Sequence, residues 1–213
     1  MGYHHNYSAQ CPLVIAPYGL VYKMLNYFKK MKGGGNHQKK VPIPEIIWSF
    51  VGSFIGMGLL FLGMSLIYYT PSDYIFGLIS ESDMNFIIGS FGASAVLLFG
   101  AIDSPFAQPR NLVGGHVLSA VVGVLCYQLF PSELWLAAAT AVAASIALMQ
   151  LTKTLHPPGS ATALIAVIGS PQLHEIGYLY VLLPVARGAI ILLVVAILIN
   201  NISKNRQYPK YWW

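Results

Sequence analysis

The chain has 213 residues, of which 56% are hydrophobic and only 9% are charged, and its mean hydropathy is +0.62. A soluble domain carries about 25% charged residues. The composition therefore excludes a soluble cytosolic enzyme, a disordered chain and a disulfide-stapled secreted domain. It predicts an all-α polytopic membrane protein whose first partner is the lipid bilayer.

The net charge of +5 is unevenly distributed along the chain. Six lysines lie in residues 1–45 and three cations lie in residues 204–213. The stretch between them holds three cations and six acids. Basic flanks of membrane helices explain this pattern more simply than a nucleic-acid partner, so we expect no nucleic acid to bind.

The charge pattern divides the chain into three parts. Residues 1–45 are predicted to be an N-terminal cytoplasmic and interfacial region, with an interfacial helix within 12–28 and a flexible link at 33–35. Residues 46–203 are predicted to form the transmembrane domain. Residues 204–213 are predicted to be a basic cytoplasmic tail.

Six apolar segments of unequal length lie in the transmembrane domain: 46–69, 86–102, 112–130, 134–152, 159–169 and 177–201. Four of them are long enough to cross a bilayer, and 86–102 is marginal. A helix over 159–169 would be about 16 Å long, roughly half the ~30 Å hydrocarbon core. We therefore expect two of the six segments to be short or broken helices.

Loop charge predicts the direction of each crossing. The lysine-rich N-terminus should be cytoplasmic, whereas residues 70–85 hold three acids and no cation and should face outside. Basic and acidic loops continue to alternate along the chain. This alternation predicts six crossings with both termini in the cytoplasm.

An internal repeat supports the same number of segments. Residues 92–105 resemble residues 159–171 when one gap is placed at Asp103, and both stretches end in Ser-Pro. Because each half would hold three segments, the two halves would have opposite topology. Two inverted three-segment repeats, each with a short or broken helix, are typical of transporters and channels. The alternative is a chance match, since small residues are common in membrane helices.

The most unusual stretch is His156-Pro157-Pro158. The two prolines must end the fourth segment and begin a new helix. Three further candidate residues, Gly159, Ser160 and Thr162, would lie in or near the first turn of that helix. The unpaired N–H groups at such a helix start predict an anion site, whereas the alternative is a simple loop.

Residues 86–200 resemble the HPP family of integral membrane proteins, named for the His-Pro-Pro motif. The resemblance also rests on companion stretches at 91–95, 104–105, 108–111 and 114–116. Members of that family in cyanobacteria and plant chloroplasts are associated with nitrite transport. The resemblance thus implies a nitrite transporter, and we expect a bacterial inner membrane of cyanobacterial type in preference to a chloroplast envelope.

Three polar side chains near the start of the third segment are further candidates. Arg110, followed by Asn111, places a guanidinium beside a helix start, where it would bind an anion or anchor the helix at the membrane surface. His116 follows on the same segment as a ligand donor, a proton carrier or a packing residue. A second short helix that begins in the companion stretch 91–95 would point its N-terminus at the N-terminus of the helix that begins near Pro158, and Ser94 would supply a hydroxyl to the anion between them.

Arg187 lies ten residues into the apolar segment 177–201. An arginine near the middle of a membrane costs at least ~2.5–3.5 kcal/mol, so it should face a cavity, an anion or a partner. Two interpretations stay open at this stage: substrate binding and a structural ion pair with Asp103.

These residues predict a membrane transporter for a small anion, with nitrite as the first choice. The alternatives are a channel for another small anion or a neutral solute, a cation or water channel, and a membrane enzyme or metal site built on His116 and His156. No His-Glu-x-x-His, Walker A or nucleophile-elbow motif is present, so we expect no catalysis, no metal and no cofactor. A homo-oligomer stays open.

Overall fold

The computed structural model describes residues 24, 25, 27, 29–31, 40–69 and 79–213. It divides into two compact units, residues 1–40 and 41–213. In the first unit, residues 24, 25, 27, 29 and 30 are helical. Most of the predicted interfacial helix, the link at 33–35 and residues 70–78 of the predicted outer loop lie outside the described residues.

The described part of the second unit contains seven α-helices and no strand: α1 Ile43–Tyr69, α2 Glu81–Ala95, α3 Pro109–Leu129, α4 Leu134–Leu151, α5 Pro157–Ile168, α6 Pro171–Ile176 and α7 Arg187–Asn200. A π-helical turn, Val96–Gly100, extends α2, and another, Val181–Ala186, leads into α7. The second turn contains Pro184, which cannot donate to a regular helical ladder.

Five of the described helical stretches are long and apolar enough to cross a membrane: Ile43–Ser65, Glu81–Gly100, Pro109–Leu129, Leu134–Leu151 and Val181–Asn200. Helix α5 is apolar but has only 12 residues, or about 18 Å. The prediction of an all-α polytopic membrane protein is confirmed. The arrangement of six segments in two inverted repeats stays a prediction.

Helix α2 is longer than the apolar run predicted. It begins at Glu81 because Ser80 and Asp83 form a capping box, in which the Asp83 N–H donates to Ser80 Oγ at 3.1 Å and the Ser80 N–H donates to Asp83 Oδ2 at 3.4 Å. The two acids of this turn lie at the positive end of the helix dipole. The expectation of a short or broken second segment is therefore wrong.

The bundle has two chemically different ends. At one end, here called the terminal end, Glu45 at the start of α1 binds Arg206, which lies beyond α7. At the opposite end, Asp83 Oδ1 accepts a hydrogen bond of 2.9 Å from the Ser170 N–H, and Ser170 Oγ also donates to this carboxylate. Glu133, between α3 and α4, also lies near this end, and its carboxylate accepts a hydrogen bond from Trp135 Nε1.

Residues 204–213, predicted as a basic tail, pack across the terminal end. Tyr208 is buried and its hydroxyl donates to Ala107 O at 2.7 Å. The Lys210 N–H donates to Gln108 Oε1 at 2.9 Å, and Lys210 Nζ lies 2.9 Å from Asp103 Oδ1. The tail thus belongs to the same compact unit as the helices.

Small residues bring α3 and α5 into close contact. A Cβ atom at Gly123 would lie 2.4 Å from Ala163 O, and one at Gly159 would lie 2.8 Å from Gly115 O. The segment between α4 and α5 enters the bundle, where Thr154 and His156 are buried. Non-helical backbone at this depth is tolerated because protein surrounds it.

We predict that Gly123→Ala lowers the free energy of unfolding by about 1–3 kcal/mol, because the added methyl group has no room against the α5 backbone. The matched control is Gly89→Ala, at an exposed helical position with nothing within 4 Å of the added atom. That control should gain about 0.5–1 kcal/mol from helix propensity. Unfolding in mixed micelles measures both, and equal effects would contradict the close α3–α5 contact.

Candidate functional site

A cluster of polar side chains lies in the middle of the bundle, where α2, α3 and α5 meet. Its members are Ser90, Ser94, His116, His156 and Thr162, and all five are buried. This set is called the buried polar cluster below. No buried side-chain nitrogen or oxygen among the described residues lacks a hydrogen-bond partner.

Ser94 is the centre of the buried polar cluster. Its Oγ lies 2.8 Å from His116 Nε2 and 2.9 Å from His156 Nε2, so both imidazole rings point at the same oxygen. The ring centroids of the two histidines are 4.9 Å apart. Phe91 covers the other side of His116, with a centroid distance of 4.6 Å. The sequence prediction that Ser94, His116 and His156 belong to one site is therefore consistent with their placement.

The second nitrogen of each ring has its own partner. His156 Nδ1 lies 2.8 Å from Phe106 O, a carbonyl that can only accept, so this nitrogen carries a hydrogen. His116 Nδ1 lies 2.8 Å from Thr162 Oγ1. His156 thus links the buried polar cluster to the segment between α2 and α3, and His116 links it to α5.

Ser90 was missed by the sequence reasoning. Its Oγ lies 3.0 Å from Thr162 Oγ1 and donates to Pro158 O at 2.9 Å. The available signal was the spacing of Ser90 and Ser94, since residues four apart share one face of a helix. Ser160 is half-buried, and Pro157 is exposed at the first position of α5.

An open cavity of about 400 Å³ lies at the terminal end, next to the buried polar cluster. It is called the vestibule below, and its lining includes Phe106, Arg110, Asn111, Lys153, Tyr211 and Trp213. The lining holds two cations and, among the described residues, no acid. Phe106 links the vestibule to the buried polar cluster, because it lines the cavity and its carbonyl contacts His156 Nδ1.

Arg110 and Asn111 hold the vestibule wall in place. Arg110 Nη2 donates to Thr152 O at 2.6 Å, and its guanidinium lies 5.7 Å from the ring centroid of Trp213. Asn111 Nδ2 donates to Leu155 O at 2.9 Å. These bonds fix the segment between α4 and α5, in which Lys153 adopts a left-handed φ of 57°.

One expectation about this region is wrong. Phe91 and Gly92 were expected to start a short helix opposite Pro158, but α2 starts at Glu81 and they lie in its interior. Two opposed helix N-termini are therefore not found at these positions. The N-terminus of α5 packs closely on α3, since a Cβ atom at Gly159 would lie 2.8 Å from Gly115 O. The anion site expected at this helix start stays a prediction.

Arg187 does not pair with Asp103. Asp103 binds Lys210 at the terminal end, whereas Arg187 follows Pro184 inside an apolar span. Arg187 is half-buried, and no hydrogen bond or ion pair joins it to any described residue. The structural ion pair is thus wrong. The interpretation of Arg187 as a substrate-binding residue stays a prediction.

The alternative of a metal site requires more ligands than the two histidines. Among the described residues, no group of three or more His, Cys, Asp or Glu side chains could hold a metal ion. The other nearby groups of the buried polar cluster are hydroxyls, which are weak metal ligands when neutral. Cys126 is buried and lies on α3, more than two turns beyond His116.

Comparisons with known proteins agree with the fold. The family model described as "HPP, transmembrane region" matches residues 38–209. Two transmembrane proteins of Dictyostelium discoideum are 43% and 44% identical to this chain over 194 and 198 residues. Each match covers 89% of this chain, but only 58% and 64% of the respective relative. No solved structure matches the chain.

These relatives bear on localisation and family. Both are named as transmembrane proteins, in agreement with the apolar helices, so the chain is an integral membrane protein. Neither comes from a bacterium, and the expectation of a bacterial inner membrane finds no support in them. The family model covers most of the chain, including all seven described α-helices. The chain therefore belongs to the HPP transmembrane family.

Proposed function

We propose that this protein moves a small anion across its membrane, with nitrite as the first candidate. The observation that carries the proposal is the vestibule, an open cavity whose charged lining consists of Arg110 and Lys153. Two cations without a neighbouring acid raise the local concentration of anions. The proposal assigns transport to the chain and no catalysis.

The position of the vestibule supports a transport role. It opens at the end of the bundle where Arg206 and Lys210 also lie, and the positive-inside rule assigns such an end to the cytoplasm. Its inner wall, Phe106, contacts the buried polar cluster. An anion that enters here reaches Phe106, whose carbonyl contacts the imidazole of His156.

The choice of nitrite rests on the family resemblance. Nitrite is a small bent anion that accepts hydrogen bonds from guanidinium and ammonium groups. Formate and chloride are similar in size and charge, so the lining by itself favours a class of anion. A flux measurement identifies the substrate within that class.

Reconstituted vesicles that contain a nitrite-sensitive reporter test the proposal. Nitrite should enter faster than into empty vesicles at neutral or higher pH, where nitrite is ionised. The assay is run with the pH gradient in both directions, because leakage of the neutral acid would depend on it. No entry above the empty vesicles would remove nitrite, and flux of formate or chloride instead would correct the substrate alone.

Arg187→Leu provides a second test of the transport path. Because Arg187 has no partner among the described residues, the variant should fold and unfold at the same or a higher temperature than the parent. Removal of an unpaired cation from a span saves at least ~2.5 kcal/mol of burial cost. Anion flux should be abolished if Arg187 binds the anion. Arg187→Lys should restore only part of it, since a point charge lacks the planar fork.

Aggregation of Arg187→Leu on extraction would contradict the absence of a structural partner. Normal folding together with normal flux would remove Arg187 from the path. The measurements are the unfolding temperature in detergent and the vesicle flux of the same preparation.

A further inference from the structure

The buried polar cluster forms one continuous hydrogen-bonded chain that begins and ends at a backbone carbonyl. The order is Phe106 O, His156, Ser94, His116, Thr162, Ser90 and Pro158 O. The successive distances are 2.8, 2.9, 2.8, 2.8, 3.0 and 2.9 Å. All of the linking side chains are buried.

When all five side chains are neutral, the hydrogen-bonded chain lacks one hydrogen. A neutral histidine carries one ring N–H, and serine and threonine each carry one O–H. The five side chains therefore supply five hydrogens, whereas six contacts need one each because both terminal carbonyls only accept. In the neutral form one contact lacks a hydrogen. The carbonyl of Ser90 is a further acceptor, 3.4 Å from Ser94 Oγ, and it supplies no hydrogen.

One additional proton completes all six contacts, and it can do so in two ways. When His116 is the imidazolium, it donates to Ser94 and Thr162, and Ser94 donates to His156. When His156 is the imidazolium, it donates to Phe106 O and Ser94, and Ser94 donates to His116. In both arrangements Thr162 donates to Ser90, which donates to Pro158 O.

The two arrangements interconvert through Ser94. The proton on His116 Nε2 moves to Ser94 Oγ while the hydroxyl proton of Ser94 moves to His156 Nε2. One N–H bond breaks and another forms, the Ser94 hydroxyl is regenerated, and the positive charge passes from one ring to the other. No heavy atom has to move, because both nitrogens already lie within 2.9 Å of the oxygen.

We propose that the buried polar cluster binds one proton, shared between His116 and His156 through Ser94, and that this proton crosses the membrane together with the anion. The first part follows from the hydrogen count. The second part rests on the proposed function, since it requires that an anion is transported.

The charged surroundings explain why the two ions would travel together. No described Asp, Glu, Lys or Arg side chain hydrogen-bonds to the five residues. Towards the opposite end the next titratable groups are Tyr180, whose hydroxyl donates to Thr162 O at 2.9 Å, and Asp83, which acts electrostatically on Tyr180. On the side of α7 the nearest cation in the sequence is Arg187, and its neighbour Gly188 contacts Phe91, the ring that packs on His116. In the vestibule the fixed charges are Arg110 and Lys153.

A buried imidazolium therefore has no adjacent fixed counter-charge on the vestibule side. A charge in such a site is costly unless it is paired. An anion that passes from the vestibule towards His156 would supply the missing charge. Each ion then strengthens the binding of the other, as linkage requires.

The proton site is tested by nitrogen NMR of the full chain, labelled at histidine and held in lipid nanodiscs. His116→Gln and His156→Gln assign the two rings. As the pH is lowered, the nitrogen chemical shifts of both rings should change together, and the pair should take up one proton rather than two. Independent titration of the two rings, uptake of two protons, or no uptake before the fold is lost would each overturn the proposal.

Ser94→Ala removes the hydroxyl between the two rings, so the nitrogen chemical shifts of His116 and His156 should no longer change together. Ser94→Cys, with a similar shape and a weaker donor, is the second variant in case the alanine variant does not fold. The matched control is Ser119→Ala, a buried serine of α3 that contacts Met149 Sδ and lies outside the hydrogen-bonded chain. A folded Ser94 variant that titrates like the parent protein would contradict the bridge.

Coupling to the anion is tested separately in vesicles that contain a pH-sensitive dye. Nitrite entry should acidify the lumen by one proton per nitrite beyond the empty-vesicle rate, and the Ser94→Ala preparation should lose this proton movement. Nitrite flux without proton movement would overturn the coupling. If nitrite does not move at all, the proposed function fails, whereas the NMR result still decides whether the cluster binds a proton.

Discussion

Replacing Arg206 by alanine is expected to destabilise the protein by about 3–5 kcal/mol, because the variant loses the buried arginine of a partly buried ion pair together with its other hydrogen bonds. The Arg206 side chain is 4% exposed and its Nε lies 2.7 Å from Glu45 Oε2. Its Nη2 donates to Glu45 O at 2.6 Å and to Ser49 Oγ at 2.9 Å. Its Nη1 donates to Phe99 O and Asn200 Oδ1, both at 3.1 Å.

The size of the effect follows from what the alanine variant leaves behind. The Glu45 carboxylate loses its partner, and the carbonyl of Phe99 loses a donor at a position where α1, the end of α2 and the end of α7 meet. Arg206→Lys should recover only part of the loss, since one ammonium cannot reach all five acceptors. Unfolding by SDS titration in mixed micelles measures the change.

Lys210→Ala is the matched control on the same segment. The Lys210 side chain is 36% exposed and its partner Asp103 is 79% exposed, so their ion pair should contribute only about 0–1 kcal/mol. Equal losses for the two variants would show that Arg206 does not hold the C-terminal segment on the helices.

Replacing both vestibule cations, in the double variant Arg110→Gln and Lys153→Gln, is expected to reduce anion entry at least roughly tenfold at low ionic strength. Charged clefts raise encounter rates by about 10 to 1,000-fold, and this gain disappears with the charges. The residual flux should also lose most of its dependence on salt. Initial rates of vesicle entry at two salt concentrations provide the measurement.

Lys204→Gln removes an exposed cation of the C-terminal segment that lies outside the vestibule lining, and should leave the flux unchanged. Arg110→Lys, which retains the charge but loses the planar contact with Trp213 and Thr152, should fall between the parent and the double variant. An undiminished flux in a folded double variant would exclude the vestibule as the entry site.

The helices were largely predictable because each arises from local sequence. Apolar runs without charge marked the spans, and Pro157 and Pro158 correctly marked the end of α4 and the start of α5. The start of α2 was missed because Glu81 and Asp83 resemble loop acids. Their capping role requires Ser80 in an extended conformation, which hydropathy does not register.

Contacts between distant parts of the chain were only partly predictable. Ser94, His116 and His156 were each recognised by residue type, but their meeting at one oxygen depends on the close packing of α3 and α5 at glycines. Arg206 was assigned to a basic cytoplasmic tail, because its partners Glu45 and Phe99 lie 161 and 107 residues away. Periodicity and composition contain no signal at such separations.

The position of a bound anion tests the account most directly. A density map of the protein with nitrite, paired with one in which bromide replaces nitrite and is located by its anomalous signal, would show where the anion binds. We predict an anomalous bromide peak in the vestibule between Arg110 and Lys153, and we expect it to disappear when nitrite is added, because both anions bind the same site. An empty vestibule together with a peak elsewhere in the bundle would contradict it.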